Sequence, residues 1–263
     1  MHKDKDFLFH QFVEERKPAS AIAKMCGVKD SAVEYYLTKY GLYGLRGRRK
    51  FVFNESKLKL VPQVYYFLGL MCTDGYIDLK NKRVSIRLRN EGAKEVLTTL
   101  KEYFEFTGEL YFYKGKDYDL MLTGEPIINF LKEVGLINCD NSDKPIPNIF
   151  PDEDCVRLFL RGCLDGDGNI HILKNKNGGY YSGTFRIVKG YKEFIEGVQS
   201  LLLDYVGVDC PITWHRTSKG TYPKLELRVA DSKKFYRWVY KGFPEYRLVS
   251  KFLKAKHIVD DIV

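Results

Sequence analysis

Two aspartates that end two similar apolar segments are the residues of this chain best suited to chemistry. Residues 67–75 and 160–168 each contain a glycine, a small residue four positions later, an aspartate directly after it and a closing glycine. The aspartates are Asp74 and Asp167. If both segments are helical, each carboxylate lies at a helix C-terminus, where the helix dipole disfavours an anion. Two such carboxylates brought together would favour a bound cation.

The spacing of the small residues predicts how the two helices meet. Residues four apart share one helix face, so Gly69 with Thr73, and Gly162 with Gly166, leave a strip almost without side chains. A glycine inside a helix costs about 0.5–1 kcal/mol, so its presence in both apolar segments indicates that the backbones pack closely. Such packing would place the two aspartates side by side.

Carboxylate oxygens favour magnesium or calcium, and no His/Cys cluster has the spacing of a zinc site. A calcium loop is the simplest alternative, because Asp165, Asp167 and Asn169 alternate. An EF-hand loop would need glycine at Ile170 and glutamate at Lys176, so this alternative fails. A single copy of either motif could also be an ordinary buried helix, and the second copy is what favours a paired site.

The two segments resemble the paired motifs of the LAGLIDADG homing endonucleases, in the form that carries both copies in one chain. The first copy departs at an earlier acidic position, where Cys72 stands opposite Asp165; that position is not the metal ligand in the family. The resemblance implies catalytic acids at Asp74 and Asp167, double-stranded DNA as partner and Mg²⁺ or another divalent metal as cofactor. The metal site would comprise Asp74, Asp167, Gly75 and Gly168.

Hydrophobic periodicity after each motif predicts the same order of elements twice. The expected fold is α+β, with two pseudo-symmetric αββαββα halves that form a DNA-binding saddle, preceded by a small all-α helix-turn-helix domain. The expected divisions are 1–45 for the helical module, 46–60 for a basic linker, 61–138 for the first half, 139–150 for a linker and 151–263 for the second half. One chain would act as a pseudo-dimer, so a monomer is expected.

The first sixty residues differ from the rest in charge. They contain 13 of the 43 Lys and Arg and 7 of the 34 Asp and Glu, so six of the nine surplus positive charges fall there. Helices are expected over 7–17, 18–26 and 30–40, with Asp30 as N-cap. Ala23, Gly27 and Val33 have helix-turn-helix spacing, although any small three-helix bundle is an alternative. Candidate DNA contacts on the third helix are Lys29, Ser31, Glu34, Tyr35 and Lys39.

The basic run that follows is either an arm along DNA or a solvated linker; its residues are Arg46, Arg48, Arg49 and Lys50. No apolar run is long enough to span a membrane and the N-terminus lacks a signal peptide, so a soluble intracellular protein is expected. The net charge of +9 is consistent with a polyanionic partner.

Alternation along the expected strands separates an apolar face from a polar, cationic face. Val84, Ile86 and Leu88 share one face of the first sheet, and Leu225, Leu227 and Val229 share one face of the second. The resemblance implies that the polar faces contact the DNA major groove, although an ordinary solvated surface is the alternative. The expected DNA contacts are Ser85, Arg87, Arg89, Thr213, His215, Thr217, Lys224, Glu226 and Arg228.

The resemblance implies metal-dependent hydrolysis of both DNA strands, with Arg89 and Lys189 as the basic residues that assist it. The chain lacks the terminal residues of an intein, so a free-standing or intron-encoded enzyme is expected. A transcriptional regulator that lost cleavage and an RNA splicing factor of the same fold remain alternatives. Retention of both aspartates favours the enzyme over the regulator.

Overall fold

The computed structural model describes residues 1–15, 17–43, 51–89, 92–113, 115–137, 145–174, 180–188, 191–218 and 220–259. These residues form two compact units, Met1–Lys50 and Phe51–Val263. Each unit has its own hydrophobic core. Within the described ranges, the structure contains no helix with the length and apolar character that a membrane span requires.

The described residues of the first unit form helices and the turns between them. Its elements are α1 (Lys5–Leu8), which continues as a π-helical segment over Phe9–Glu14, then α2 (Ala19–Cys26) and α3 (Asp30–Lys39).

The turn between α2 and α3 has the geometry that the helix-turn-helix spacing predicts. Gly27 ends α2 with a φ of 64°, a left-handed conformation that glycine adopts without steric cost. Ala23 and Val33 are fully buried on either side of it. The prediction of Asp30 as N-cap was wrong by one residue, because Lys29 takes the extended N-cap conformation and Asp30 is the first helical residue.

The second unit repeats one order of elements. The first half consists of α4 (Pro62–Thr73), β1 (Gly75–Asp78), β2 (Arg83–Leu88), α5 (Ala93–Tyr103), β3 (Tyr111–Tyr113), β4 (Asp117–Thr123) and α6 (Glu125–Glu133). The second half consists of α7 (Glu153–Asp165), β5 (Asn169–Lys174), β6 (Tyr180–Val188), α8 (Lys192–Leu201, continuing as a π-helical segment over Leu202–Val206), β7 (Thr213–Thr217), β8 (Gly220–Leu227) and α9 (Val229–Val239).

Each half builds a four-stranded antiparallel sheet with the same topology. The strand orders are β1-β2-β4-β3 and β5-β6-β8-β7. The apolar faces predicted for β2 and β8 are buried, with Val84, Ile86, Leu225 and Leu227 each at most 1% exposed. The α+β prediction with two αββαββα halves is therefore confirmed.

Three local details differ from the sequence-based expectations. Val229 begins α9 instead of extending the preceding strand, because β8 ends at Leu227. A further helix, α10 (Val249–Ile258), follows the second half and was not predicted. The basic linker expected over 46–60 is packed from Phe51 onward, since Asn54 N–H donates to the Phe104 carbonyl at 2.8 Å.

Candidate active site at the ends of the paired helices

Helices α4 and α7 pack with their backbones in direct contact at the two predicted glycines. A methyl group added at Gly69 would lie 2.2 Å from the Phe159 carbonyl oxygen, and one added at Gly162 would lie 2.4 Å from the Tyr66 carbonyl oxygen. Both distances are well below van der Waals contact, and the obstructing atoms belong to the backbone. Only glycine at these two positions allows the helices to approach this closely.

The close contact continues to the helix ends. A methyl group added at Gly166 would lie 2.0 Å from Thr73 Oγ1 and 3.0 Å from Asp74 Oδ2. The Thr73 hydroxyl turns back onto its own helix and donates to the Gly69 or Leu70 carbonyl, at 3.0 and 3.2 Å. The carboxylate that follows α4 therefore lies against the residue that follows α7.

The two predicted acidic residues differ in exposure. Asp74 is half-buried at the C-cap of α4, with its backbone N–H bonded to the Leu70 carbonyl at 2.8 Å. Asp167 is exposed, two residues beyond the end of α7. The glycines that follow them, Gly75 and Gly168, are tightly packed against the last turns of their own helices.

Asp74 faces an open pocket of about 450 Å³ at the edge of the first sheet. Gly166 closes one side of it, so residues from both halves meet in this pocket. Its lining residues are Asp74, Arg87, Leu88, Arg89, Asp117 and Gly166.

The polar face of the first sheet carries balanced charge and not the cationic surface that was expected. Three arginines of β2, or directly after it, each form an ion pair with an aspartate of a neighbouring strand. The pairs are Arg83–Asp78 at 3.1 Å, Arg87–Asp119 at 2.9 Å and Arg89–Asp117 at 2.8 Å. Strand alternation predicted that Arg87 and Arg89 lie on the polar face, but it did not select Arg83 and did not pair the arginines with the acidic residues of β1 and β4.

The two buried aspartates of this face differ in their protonation behaviour. Hydrogen bonds from Arg89 lower the pKa of Asp117. Burial raises the pKa of Asp119, although hydrogen bonds from Arg87 oppose it. Arg87 also lies over the Tyr113 ring at 4.2 Å, which fixes its guanidinium on the sheet.

The polar face of the second sheet has a smaller ionic network. Glu226 accepts hydrogen bonds from Arg186 at 2.6 Å and from Lys224 at 2.7 Å. Burial raises the pKa of Glu226, but these two bonds outweigh it and the net shift is downward. Arg186, which the sequence analysis did not select, is opposite Glu226 on β6.

The other predicted DNA contacts are distributed over both sheets. Ser85 is half-buried on the polar face of β2. Thr213, His215 and Thr217 alternate along β7, on the face that carries Lys224. Arg228 is exposed but lies after β8, at the N-cap of α9. Five predicted residues fall outside the described residues, namely Arg46, Arg48, Arg49, Lys50 and Lys189.

A buried polar cluster behind α7 was missed by sequence reasoning. Arg161 is 0% exposed, and its guanidinium donates to five backbone carbonyls at the end of α9 and in the segment that follows it. The acceptors are Val239, Lys241, Gly242, Phe243 and Tyr246, at 2.8–3.4 Å. An arginine inside an apolar motif was the available signal, because a buried guanidinium requires acceptors.

Asp165 belongs to the same cluster. It is fully buried and accepts hydrogen bonds from the Tyr66 hydroxyl at 2.8 Å and from the Leu248 backbone N–H at 2.9 Å. Burial raises its pKa to about 6. At the equivalent position of the first half, the Cys72 thiol contacts the Pro145 carbonyl at 3.5 Å. The first motif copy has a cysteine where the second has an aspartate, and this difference corresponds to the different segments that pack against α4 and α7.

The donor set at the helix ends suits a hard cation that keeps part of its hydration. Among the residues that the structure describes, no group of three or more His, Cys, Asp or Glu side chains could enclose a metal ion. Mg²⁺ commonly binds one or two carboxylates and completes its shell with water and phosphate oxygens. Asp74, which lines the pocket, and Asp167, which is exposed directly after Gly166, fit that requirement.

Comparison with known proteins identifies the fold. Residues 154–239 match the LAGLIDADG-like domain family. The structure of I-WcaI bound to its DNA recognition sequence matches with a TM-score of 0.52 and 17% identity, over 77% of this chain and 87% of that one. The N-terminal LAGLIDADG domain of DUF199/WhiA matches with a TM-score of 0.49 and 17% identity, over 72% of this chain and 89% of that one.

A curated sequence relative was also found. The probable translation initiation factor IF-2 of Methanocaldococcus jannaschii is 24% identical over 197 residues, which is 72% of this chain. The match spans only 14% of the length of that relative.

Proposed function

This chain has the LAGLIDADG fold, and from that premise we propose that it is a site-specific DNA endonuclease that cuts both strands of a long asymmetric target. The observation that carries the proposal is the contact between the two helix ends, where Gly166 lies against the Asp74 carboxylate. Close packing at two glycines supports the proposal that acidic residues of both halves form one site. A single chain then supplies both acids, so a monomer suffices.

Asp74 and Asp167 would hold Mg²⁺ in this proposal, beside Gly75 and Gly168. When bound, the ion would activate a water molecule and stabilise the leaving oxygen of the phosphodiester. Arg89 lines the same pocket as Asp74 and is two-thirds exposed. Its guanidinium can therefore contact a phosphate while Asp117 orients it. Lys189 is proposed for the equivalent role in the second half.

The polar faces of the two sheets are proposed to contact the DNA. Phosphate contacts would set affinity, and contacts with base edges would set preference. The two faces carry different residues, with three arginines on the first and Arg186, Lys224 and Glu226 on the second. Two polar faces that carry different residues would favour a DNA target without symmetry. The helical unit would extend the contact through the exposed side chains of α3, which include Ser31, Glu34, Tyr35 and Lys39.

Selection of cleaved molecules from a randomised DNA library in Mg²⁺ tests activity and finds the target together. Asp74→Asn and Asp167→Asn should each abolish double-strand cleavage while DNA binding is retained. Glu125→Gln is the matched control, because it removes a carboxylate that is half-exposed on α6. Undiminished cleavage by either aspartate variant would refute the assignment.

A non-cleaving DNA-binding regulator is the second candidate. The separate helical unit favours it, since α3 leaves polar side chains exposed beside a glycine turn of helix-turn-helix type. Specific binding to duplex DNA without cleavage in Mg²⁺ or Mn²⁺ would support the regulator. Preference for intron RNA over duplex DNA would instead support a splicing factor.

A further inference from the structure

Lys251 caps the C-terminus of α7 from a different part of the chain. Its Nζ donates hydrogen bonds to the carbonyl oxygens of Leu164, Asp165 and Gly166, each at 2.7 Å. These are carbonyls at the end of a helix, which lack partners within the helix. Lys251, on α10, therefore caps the helix that ends two residues before Asp167.

The three bonds use every donor that an ammonium group has. Lys251 consequently has no hydrogen left for a water molecule or a phosphate in this arrangement. The positive charge of Lys251 nevertheless interacts with nearby carboxylates. Burial lowers the pKa of Lys251, whereas the carboxylates of Asp165, Asp74 and Asp167 oppose that shift. The geometry agrees, because Gly166, whose carbonyl accepts from Lys251, lies against the Asp74 carboxylate and directly precedes Asp167.

The same electrostatic interaction stabilises the carboxylates. Two acidic side chains at adjacent helix C-termini repel each other and the helix dipoles. The positive charge of Lys251, which is held in place by its three hydrogen bonds, offsets this repulsion before any metal is present. The geometry of α10 places that charge reliably, since Leu248 N–H is also bonded to Asp165 at 2.9 Å.

We infer that Lys251 is a positioning residue that acts as a resident counter-ion for Asp74 and Asp167. It holds the two carboxylates together in the metal-free protein and weakens the binding of Mg²⁺ by repulsion. Only the effect on Mg²⁺ binding rests on the proposed function, because it requires the proposed metal centre. The counter-ion role depends on the charges of Lys251, Asp74 and Asp167 alone.

The competing explanation is that Lys251 serves only Asp165 and the helix end. Asp165 is the strongest of the three carboxylate influences on Lys251. A purely structural cap would also destabilise the protein when removed. The test must therefore measure coupling to Asp74 and Asp167 and not only a loss of stability.

A double-mutant cycle in the metal-free full chain provides that measurement. Both tryptophans, Trp214 and Trp238, belong to the second unit, so their fluorescence follows the unfolding of that unit. Lys251→Met should lower the unfolding midpoint by about 5 °C or more. Adding Asp74→Asn should restore part of this loss, because one of the two mutually repelling carboxylates is removed.

The controls for the cycle are variants that retain the charge or lie nearby. Lys251→Arg should keep most of the stability, and Lys254→Met changes an exposed lysine of the same helix. Additive effects of Lys251→Met with both Asp74→Asn and Asp167→Asn, or coupling confined to Asp165→Asn, would overturn the inference. If Lys251→Met does not fold, recovery of folding by the added Asp74→Asn supports it, and no recovery contradicts it.

A second arm repeats the measurements with Mg²⁺. Lys251→Met should gain at least about twice the midpoint shift that the wild type gains, because the ion replaces the missing charge. Asp74→Asn should remove this gain. Equal shifts in wild type and Lys251→Met would overturn the claim that Lys251 weakens metal binding. No shift in any variant, with coupling still present in the metal-free cycle, would refute the metal centre and leave the counter-ion role supported.

Discussion

The Tyr66 hydroxyl donates a hydrogen bond of 2.8 Å to the Asp165 carboxylate, and this bond joins the two central helices inside the core. Tyr66 lies on α4 and Asp165 ends α7. Both side chains are fully buried. The bond therefore orients the ends of the two helices relative to each other, next to the glycine contacts that set their separation.

Burial of Asp165 predicts a specific pH dependence of stability. Its pKa is raised to about 6 in the folded protein, above the ordinary aspartate value of 3.8, so the folded state binds more protons between these values. Asp165 therefore favours folding when protonated and costs stability as the pH rises through 6. From pH 4 to 7.5 the wild type should lose about 2 kcal/mol relative to Asp165→Asn. Urea unfolding followed by tryptophan fluorescence measures this difference, and parallel pH profiles would contradict it.

Gly162→Ala should destabilise the second unit strongly. The added methyl group would lie 2.4 Å from the Tyr66 carbonyl oxygen and 3.0 Å from Gly69 Cα, so the helices must separate. Overpacking of this kind costs about 3 kcal/mol. Gly197→Ala is the matched control in α8, because the three atoms nearest to its methyl group would belong to the Ile146 side chain and not to the backbone of another helix. Equal stability of the two variants, measured by chemical denaturation, would show that the close helix contact is not required.

Arg161→Lys should be costly although it keeps the charge. A lysine has three donors for the five carbonyls that Arg161 satisfies, so at least two lose their charged partner. A loss of about 2–4 kcal/mol in unfolding free energy is expected. Arg157→Lys on the same helix is the control, since Arg157 pairs with Glu153 and Asp154, which are half-exposed and accessible to lysine. A similar cost for both variants would argue against the carbonyl network.

The sequence predicted the parts of this fold that depend on local periodicity. The repeat of two αββαββα halves follows from alternation in the strands and from turn residues, and the glycine pairs predicted the close helix contact. Contacts between segments that are distant in the sequence could not be predicted from local patterns. Nothing near Arg87 or Arg89 in sequence indicates the aspartates of β4 that neutralise them, because the β2–β4 pairing is not local.

The role of the C-terminal segment was equally inaccessible from local patterns. The sequence analysis placed Asp165 at a motif position that is not a metal ligand, and it did not select Lys251. Their significance arises because α10 packs back onto the end of α7, more than 80 residues earlier in the chain. Buried charge inside a motif, at Arg161 and Asp165, was the one local sign that a covering segment exists.

Asp117→Asn should strengthen the salt dependence of DNA binding, on the proposal that the first sheet contacts DNA. Asp117 is 3% exposed and holds Arg89 through two hydrogen bonds of 2.8 and 3.2 Å. Neutralising the aspartate leaves the full charge of Arg89 available to a phosphate. The slope of log affinity against log salt should steepen by about one unit. Glu125→Gln makes the same change in charge at an exposed ion pair of α6 and controls for net charge. An unchanged slope for Asp117→Asn, with Arg89→Gln also without effect, would show that Arg89 does not contact the DNA backbone.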